Sequence, residues 1–122
     1  LPALLRAHRI GEKAARAGFD WPDRAGPRAK IDEELLELDQ AIAAGDAAAI
    51  AAELGDVLFS LCNLARHLGV NPETSLATTN DRFQRRFAAV ERELQHRLEG
   101  RSLAELEAAL QRRVLFHMLA IF

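Results

Sequence analysis

The sequence has no tyrosine, one tryptophan, one methionine and one cysteine. A lone cysteine, Cys62, excludes an internal disulfide and fits a reducing compartment, so a cytoplasmic location is expected. There is no basic surplus. The 16 Lys and Arg are outnumbered by 18 Asp and Glu, and a net charge of −2 gives no pointer to nucleic acid. No signal peptide and no span of about 20 apolar residues is read from the chain, which gives no expectation of a membrane. Only seven glycines and four prolines interrupt a sequence that is 49% hydrophobic, mostly Ala and Leu, which favours helix throughout. The 122 residues suit a single domain, 1–122, large enough to bury roughly two-thirds of its unfolded surface. The chain begins at Leu1, not Met, as expected of a fragment of a longer protein.

Residues 31–57 hold a repeated pattern. Ile31-Asp32-Glu33-Glu34-Leu35-Leu36-Glu37-Leu38 is followed nineteen residues later by Ile50-Ala51-Ala52-Glu53-Leu54-Gly55-Asp56-Val57. Glu34 aligns with Glu53 and Glu37 with Asp56. At about 100° per residue, Ile31, Leu35, Leu38 and Ile42 make one apolar stripe, and Ile50, Leu54, Val57 and Leu61 make its counterpart. The link between them carries Gly45, a helix stop, and Asp46, an N-cap, and its shortness makes the helices antiparallel neighbours. If the stripes meet, the four acids converge along one edge of the seam. Two carboxylates ~6 Å apart repel by roughly 3 kcal/mol at an effective dielectric of about 20. Such a group spreads apart as a solvated face, takes up protons, or holds a hard cation such as Mg²⁺ or Mn²⁺.

Four main helices are expected, over 3–17, 27–44, 47–68 and 72–98, with a short fifth opened by the capping box Ser102…Glu105. The fold class is therefore all-α, an antiparallel bundle of four main helices and a short C-terminal one. Residues 113–122 form an apolar tail of unassigned role. His8 reads as an ordinary helix-face histidine. Trp21, in the loop before the second helix, is either a hydrophobic plug over the hairpin or a ring that stacks on a ligand, and spacing alone favours the plug. Lys30 is either an ion pair to Glu33 and Glu34 or a phosphate contact. The third helix is apolar over more than half its circumference, with a polar strip of Glu53, Asp56, Ser60, Asn63 and His67. A helix so apolar calls for neighbours beyond one small chain, so the bundle is expected to be completed by dimerisation. On the fourth, Asn80 interrupts a nearly heptad stripe of Leu76, Phe83, Phe87, Val90 and Leu94. Arg82 and Arg86 share a face there, as a solvated rim or as phosphate ligands. Glu93-x-x-His96 occurs once, where a di-iron bundle needs two such motifs.

Several segments, taken in order, carry a family likeness. They are Gly18-Phe19-Asp20-Trp21, the Glu-Glu-x-x-Glu of 33–37, the Glu-x-Gly-Asp of 53–56 continuing as Val57-Leu58-Phe59, Asn63 to Gly69, and Asn80-Asp81-Arg82-Phe83-Gln84-Arg85-Arg86-Phe87. The sequence resembles the MazG nucleoside triphosphate pyrophosphohydrolases of the all-α NTP pyrophosphatase superfamily, over residues 3 to about 112. The resemblance implies a homodimer or higher homo-oligomer that splits an NTP or dNTP into the monophosphate and pyrophosphate. It implies that Glu34, Glu37, Glu53 and Asp56 hold Mg²⁺, with Mn²⁺ a substitute. Glu33 becomes a candidate general base. Lys30, Arg82 and Arg86 match phosphate-binding positions, and Trp21 and Asn80 match nucleotide contacts. Two departures stand out: Arg82 replaces the usual Lys, and Leu110 lies near a position that often carries Trp. Alternatives are a pyrophosphohydrolase acting on phosphoribosyl-ATP or a pyrimidine dNTP, or a non-catalytic nucleotide-binding module.

Overall fold

The computed structural model describes residues 1–98 together with Ser102, Ala104, Glu105, Ala108 and Arg112. It contains α1 (Ala3–Arg16), α2 (Ala25–Ala44), α3 (Ala47–His67) and α4 (Pro72–Leu98), and no strand among the described residues. The all-α class is as expected. The chain divides into two compact units, residues 1–76 and residues 77–122.

In the first unit the local chemistry sets each boundary. α1 ends before Gly18, whose φ of 90° suits glycine, and Phe19 N–H closes the turn on Ala14 C=O at 3.0 Å. α2 starts at Ala25, two residues before the expected Pro27, because the Asp23 carboxylate accepts the Ala25 N–H at 2.8 Å. Pro27 still falls in the first turn, where no intrahelical N–H is needed. Gly45, at φ 71°, and Asp46 make the turn into α3. The Asp46 carboxylate accepts the N–H groups of Ala48 and Ala49. Gly69 and Asn71 repeat the device before α4, with the Asn71 side chain accepting from Glu73 and Thr74 N–H.

α3 packs against both α2 and α1. The α2–α3 seam differs from the expected one. Pro27, Ile31, Glu34 and Ala41 of α2 are buried, as are Val57 and Ser60 of α3. Leu35, Ile42, Leu54 and Leu61, expected to meet there, are 43% to 55% exposed. The seam on α2 is thus turned by roughly 55° from the apolar stripe, at about 100° per residue. Two of the acids lie in this seam instead of beside it. The reason lies in the pattern itself: α3 is apolar over most of its circumference and α2 interleaves charged and apolar residues, so periodicity admits more than one seam. The one adopted brings small Ala41 and Ser60 to the contact. Cys62 is buried on another side of α3, so this helix is buried on more than one face, as its composition demands.

Contrary to the sequence reading, α3 is long and apolar enough by length and composition to cross a membrane. It nonetheless carries Glu53 and Asp56, and it packs against α1 and α2 of its own unit.

In the second unit, Val90 is buried, and Phe83 and Phe87 stack with ring centroids 6.1 Å apart. Ser102 Oγ accepts the Glu105 N–H at 3.3 Å, half of the expected capping box, and Ala104, Glu105, Ala108 and Arg112 are helical. Leu110, the tail 113–122 and the side chain of His96 lie outside the described residues.

Candidate metal centre and adjoining cleft

The seam brings three acids together. Glu34 and Glu37 project from successive turns of α2 and Glu53 from the facing turn of α3. One carboxylate oxygen from each lies within 4.8 Å of the others. Glu34 is buried, at 6% exposure. Glu34 Oε2 and Glu53 Oε2 are both buried without a hydrogen-bond partner. Buried carboxylate oxygens ordinarily find donors, so two orphans aimed into one small space mark a site built for something else. The like charges also bear on acidity. A hydrogen bond shared with Glu34, and then the repulsion of its charge, push the Glu37 carboxyl above the usual glutamate range.

Oxygen ligands alone, crowded and unsatisfied, are the donor set of a hard divalent cation. Asp56, one turn beyond Glu53, is exposed and outside this carboxylate group. Lys30 Nζ bridges Glu33 at 3.2 Å and Glu34 at 3.1 Å, and these two partners, Glu34 first, raise its pKa. The bridge meets the ion-pair expectation for Lys30 and leaves its ammonium at the rim of the acidic group. Glu33 is exposed, on the solvent side of that bridge. Asn80, Arg82 and Arg86 are exposed on α4 in the second unit, with Arg82 and Arg86 one turn apart.

A cleft of about 430 Å³ opens between α1, α3 and the α1–α2 loop. Its apolar walls include Ile10, Phe19, Trp21 and Phe59, and its polar side is Asp20, Asn63 and Arg66. Trp21 is not the buried plug that spacing favours. It is half exposed, and its ring lies against Gly26 so closely that a Cβ there would come within 2.4 Å of Cε3.

The polar strip of α3 pointed to a polar pocket at Asn63 and His67, but not to what faces them. Arg66 binds both oxygens of Asp20, at 3.0 and 2.7 Å, and both its Nε and Nη2 reach Asn63 Oδ1. His67 Nε2 lies 2.9 Å from Asp20 Oδ1. The Arg66 guanidinium holds the Asp20 carboxyl far below the usual carboxylate range. Asn63 and His67 do fall on the polar strip of α3, which was the available signal. Asp20, the partner of Arg66 and His67, is over forty residues away, beyond any periodicity. His8, on α1, places Nε2 3.6 Å from Glu12 and buries Nδ1 without a partner.

Comparison with known proteins adds a family context. The profile of the phosphoribosyl-ATP pyrophosphohydrolase family matches residues 10–83. Over 97 residues the chain is 45% identical to a nucleoside triphosphate pyrophosphohydrolase of Escherichia coli K12, covering 75% of this chain and 36% of that protein. Over 91 residues it is 45% identical to a Thermotoga maritima protein named nucleoside triphosphate pyrophosphohydrolase/pyrophosphatase MazG, covering 75% of this chain and 34% of that one. A Bacillus subtilis protein, YabN, is 46% identical over 55 residues, 45% of this chain and 11% of its own. The chain spans about a third of the length of the first two relatives.

Proposed function

The chain belongs to the phosphoribosyl-ATP pyrophosphohydrolase family, with MazG-type nucleoside triphosphate pyrophosphohydrolases among its relatives, and from that premise we propose that it hydrolyses nucleoside triphosphates at the α–β phosphate bond. The products are the monophosphate and pyrophosphate. The observation that carries this reading is the group Glu34, Glu37 and Glu53, with its two orphaned buried oxygens. These three residues fit Mg²⁺, with Mn²⁺ as substitute, and Asp56, one turn further along α3 and outside the group as it stands, would have to turn inward to serve as a fourth ligand. Held there, a cation would supply Lewis-acid polarisation of phosphate oxygens and lower the pKa of water at the site.

The chain's own groups then have separable tasks. Water attacks the α-phosphorus, its oxygen forms the new P–O bond, and the α–β bridging bond breaks with its electron pair leaving on pyrophosphate. The proton passes to a carboxylate. Glu33 is the candidate base, and to serve it must exchange its Lys30 partner for water. Lys30, already at the rim, turns its ammonium to phosphate oxygens, and Arg82 and Arg86 offer guanidinium forks suited to the same charge.

The cleft takes the nucleoside end of the substrate, with Trp21 as the stacking ring. Phe59 and Asn63, on its wall, follow Glu53 on α3 by about 9 and 15 Å at 1.5 Å rise per residue, a span in keeping with a nucleotide. Asn80 is a further nucleotide contact. The apolar residues left outside the seam, Leu54, Leu58 and Leu61 of α3, support a homodimer as the working form, and the lone Cys62 fits a reducing, cytoplasmic setting.

The test is pyrophosphate release from each of the eight common NTPs and dNTPs, with phosphoribosyl-ATP included because the matching family profile carries that name. Release with Mg²⁺ that stops with EDTA is expected. Release from phosphoribosyl-ATP alone would move the assignment to that substrate. Nucleotide binding without release from any of them would overturn the catalytic reading in favour of a binding module.

A further inference from the structure

The loop between α1 and α2 is tied down by a chain of polar contacts that runs directly to Trp21. Asn63 Oδ1 accepts from Arg66 Nε and Nη2, at 3.2 and 2.7 Å, and so sets the plane of the guanidinium. That guanidinium grips Asp20 through both carboxylate oxygens. Asp20 Oδ1 in turn accepts the backbone N–H of Trp21 at 2.8 Å. His67 backs the same oxygen from the side. The Arg66 side chain is 14% exposed and that of Asp20 27%, so this is a sheltered, two-pronged pair and not a loose surface one. α1 accommodates it through Gly11, where a Cβ would come within 3.0 Å of Arg66 Nε. On the other side, Gly26 lets the Trp21 ring lie flat on α2. Two glycines on two helices therefore leave room for one arginine and one indole, which are joined through Asp20.

We propose that Arg66 is a positioning residue for the nucleotide: acting through Asp20, it fixes the main chain at Trp21 and so sets the ring that walls the cleft. The inference rests on the reading that the cleft receives the nucleoside end. Arg66 touches none of the three acids, so it acts on how substrate is held and leaves the reacting phosphates to Glu34, Glu37 and Glu53.

The sole tryptophan makes the claim measurable without substrate. In Arg66→Leu, the emission of Trp21 shifts to the red and its quenching by acrylamide rises, because the ring loses its fixed seat. With Mg²⁺ and the preferred triphosphate, KM rises on the order of tenfold, the scale of one lost charge-assisted hydrogen bond, while kcat stays within about twofold. Arg66→Lys keeps the charge but not the fork, and it recovers only part of the KM. Asp20→Asn, nearly isosteric, gives the same KM shift should the leucine variant fail to fold. Unmoved emission, or a fall in kcat at unchanged KM, would overturn the proposal. Should the unaltered protein release no pyrophosphate, the functional reading fails separately. The positioning claim is then decided by Trp21 emission and by triphosphate affinity followed through Trp21 quenching, which must both change in Arg66→Leu.

Discussion

Glu53 has one carboxylate oxygen buried with no partner, opposite two other acids. Replacing it with Gln removes a charge and a ligand at nearly constant volume. Glu53→Gln is expected to abolish Mg²⁺-dependent pyrophosphate release while leaving far-ultraviolet circular dichroism intact. It should also lose the rise in melting temperature that Mg²⁺ gives the unaltered protein. Turnover retained in this variant would remove the metal assignment. Glu37 makes a second, pH-dependent test. Its carboxyl is raised because Glu34 shares a hydrogen bond and a like charge with it. In the window just above the ordinary glutamate value, the folded chain holds a proton that the unfolded chain has released. Stability therefore falls as pH rises through that window and is regained as pH falls back through it. Melting curves in EDTA should show this decline, and saturating Mg²⁺, by compensating the charge, should flatten it. Asp20 has the opposite sign. Its lowered pKa contributes stability at neutral pH that is lost on acidification below the ordinary aspartate value.

Among the elements, the α2–α3 hairpin depends on a two-residue turn. Asp46 caps α3 through two backbone N–H groups, and Asp46→Ala should cost about 1 kcal/mol, read as a fall of a few degrees in melting temperature. Gly45 holds φ at 71°, so Gly45→Ala should cost a similar amount, about 1 kcal/mol, through backbone strain. Gly26→Ala tests a different link. A methyl group there would overlap the Trp21 ring, so the indole must leave its seat. The expected result is a red-shifted emission with helix content unchanged. An unshifted spectrum would mean that the ring is not held by that contact in solution.

For the whole molecule, the exposed side of α3 dominates. Leu54, Leu58 and Leu61 are each nearly half exposed, alongside Leu35, Leu36 and Ile42 of α2. An apolar area of this kind is the mark of an interface. Light scattering coupled to size exclusion should report a dimer, and Leu61→Glu should shift it to monomer with a lower melting temperature. A monomer at all concentrations would leave these side chains without explanation.

Much of this was legible in the chain itself. Helix-stopping Gly45 and Gly69, capping Asp46 and Asn71, and the absence of strand-forming runs determined four helices and their joints, because those signals act within one turn. The doubled acidic pattern likewise announced Glu34, Glu37 and Glu53, since a short hairpin link leaves few registers. Tertiary packing alone decided which face of α2 meets α3. Periodicity cannot choose among seams when α3 is apolar over most of its circumference and α2 interleaves charged and apolar residues, and the seam adopted draws two acids into the contact while leaving Leu35, Ile42, Leu54 and Leu61 outside. Packing alone also joined Asp20 to Arg66. A pairing across 46 residues leaves no local signature, because it exists only when α1, α3 and the loop between α1 and α2 are brought together.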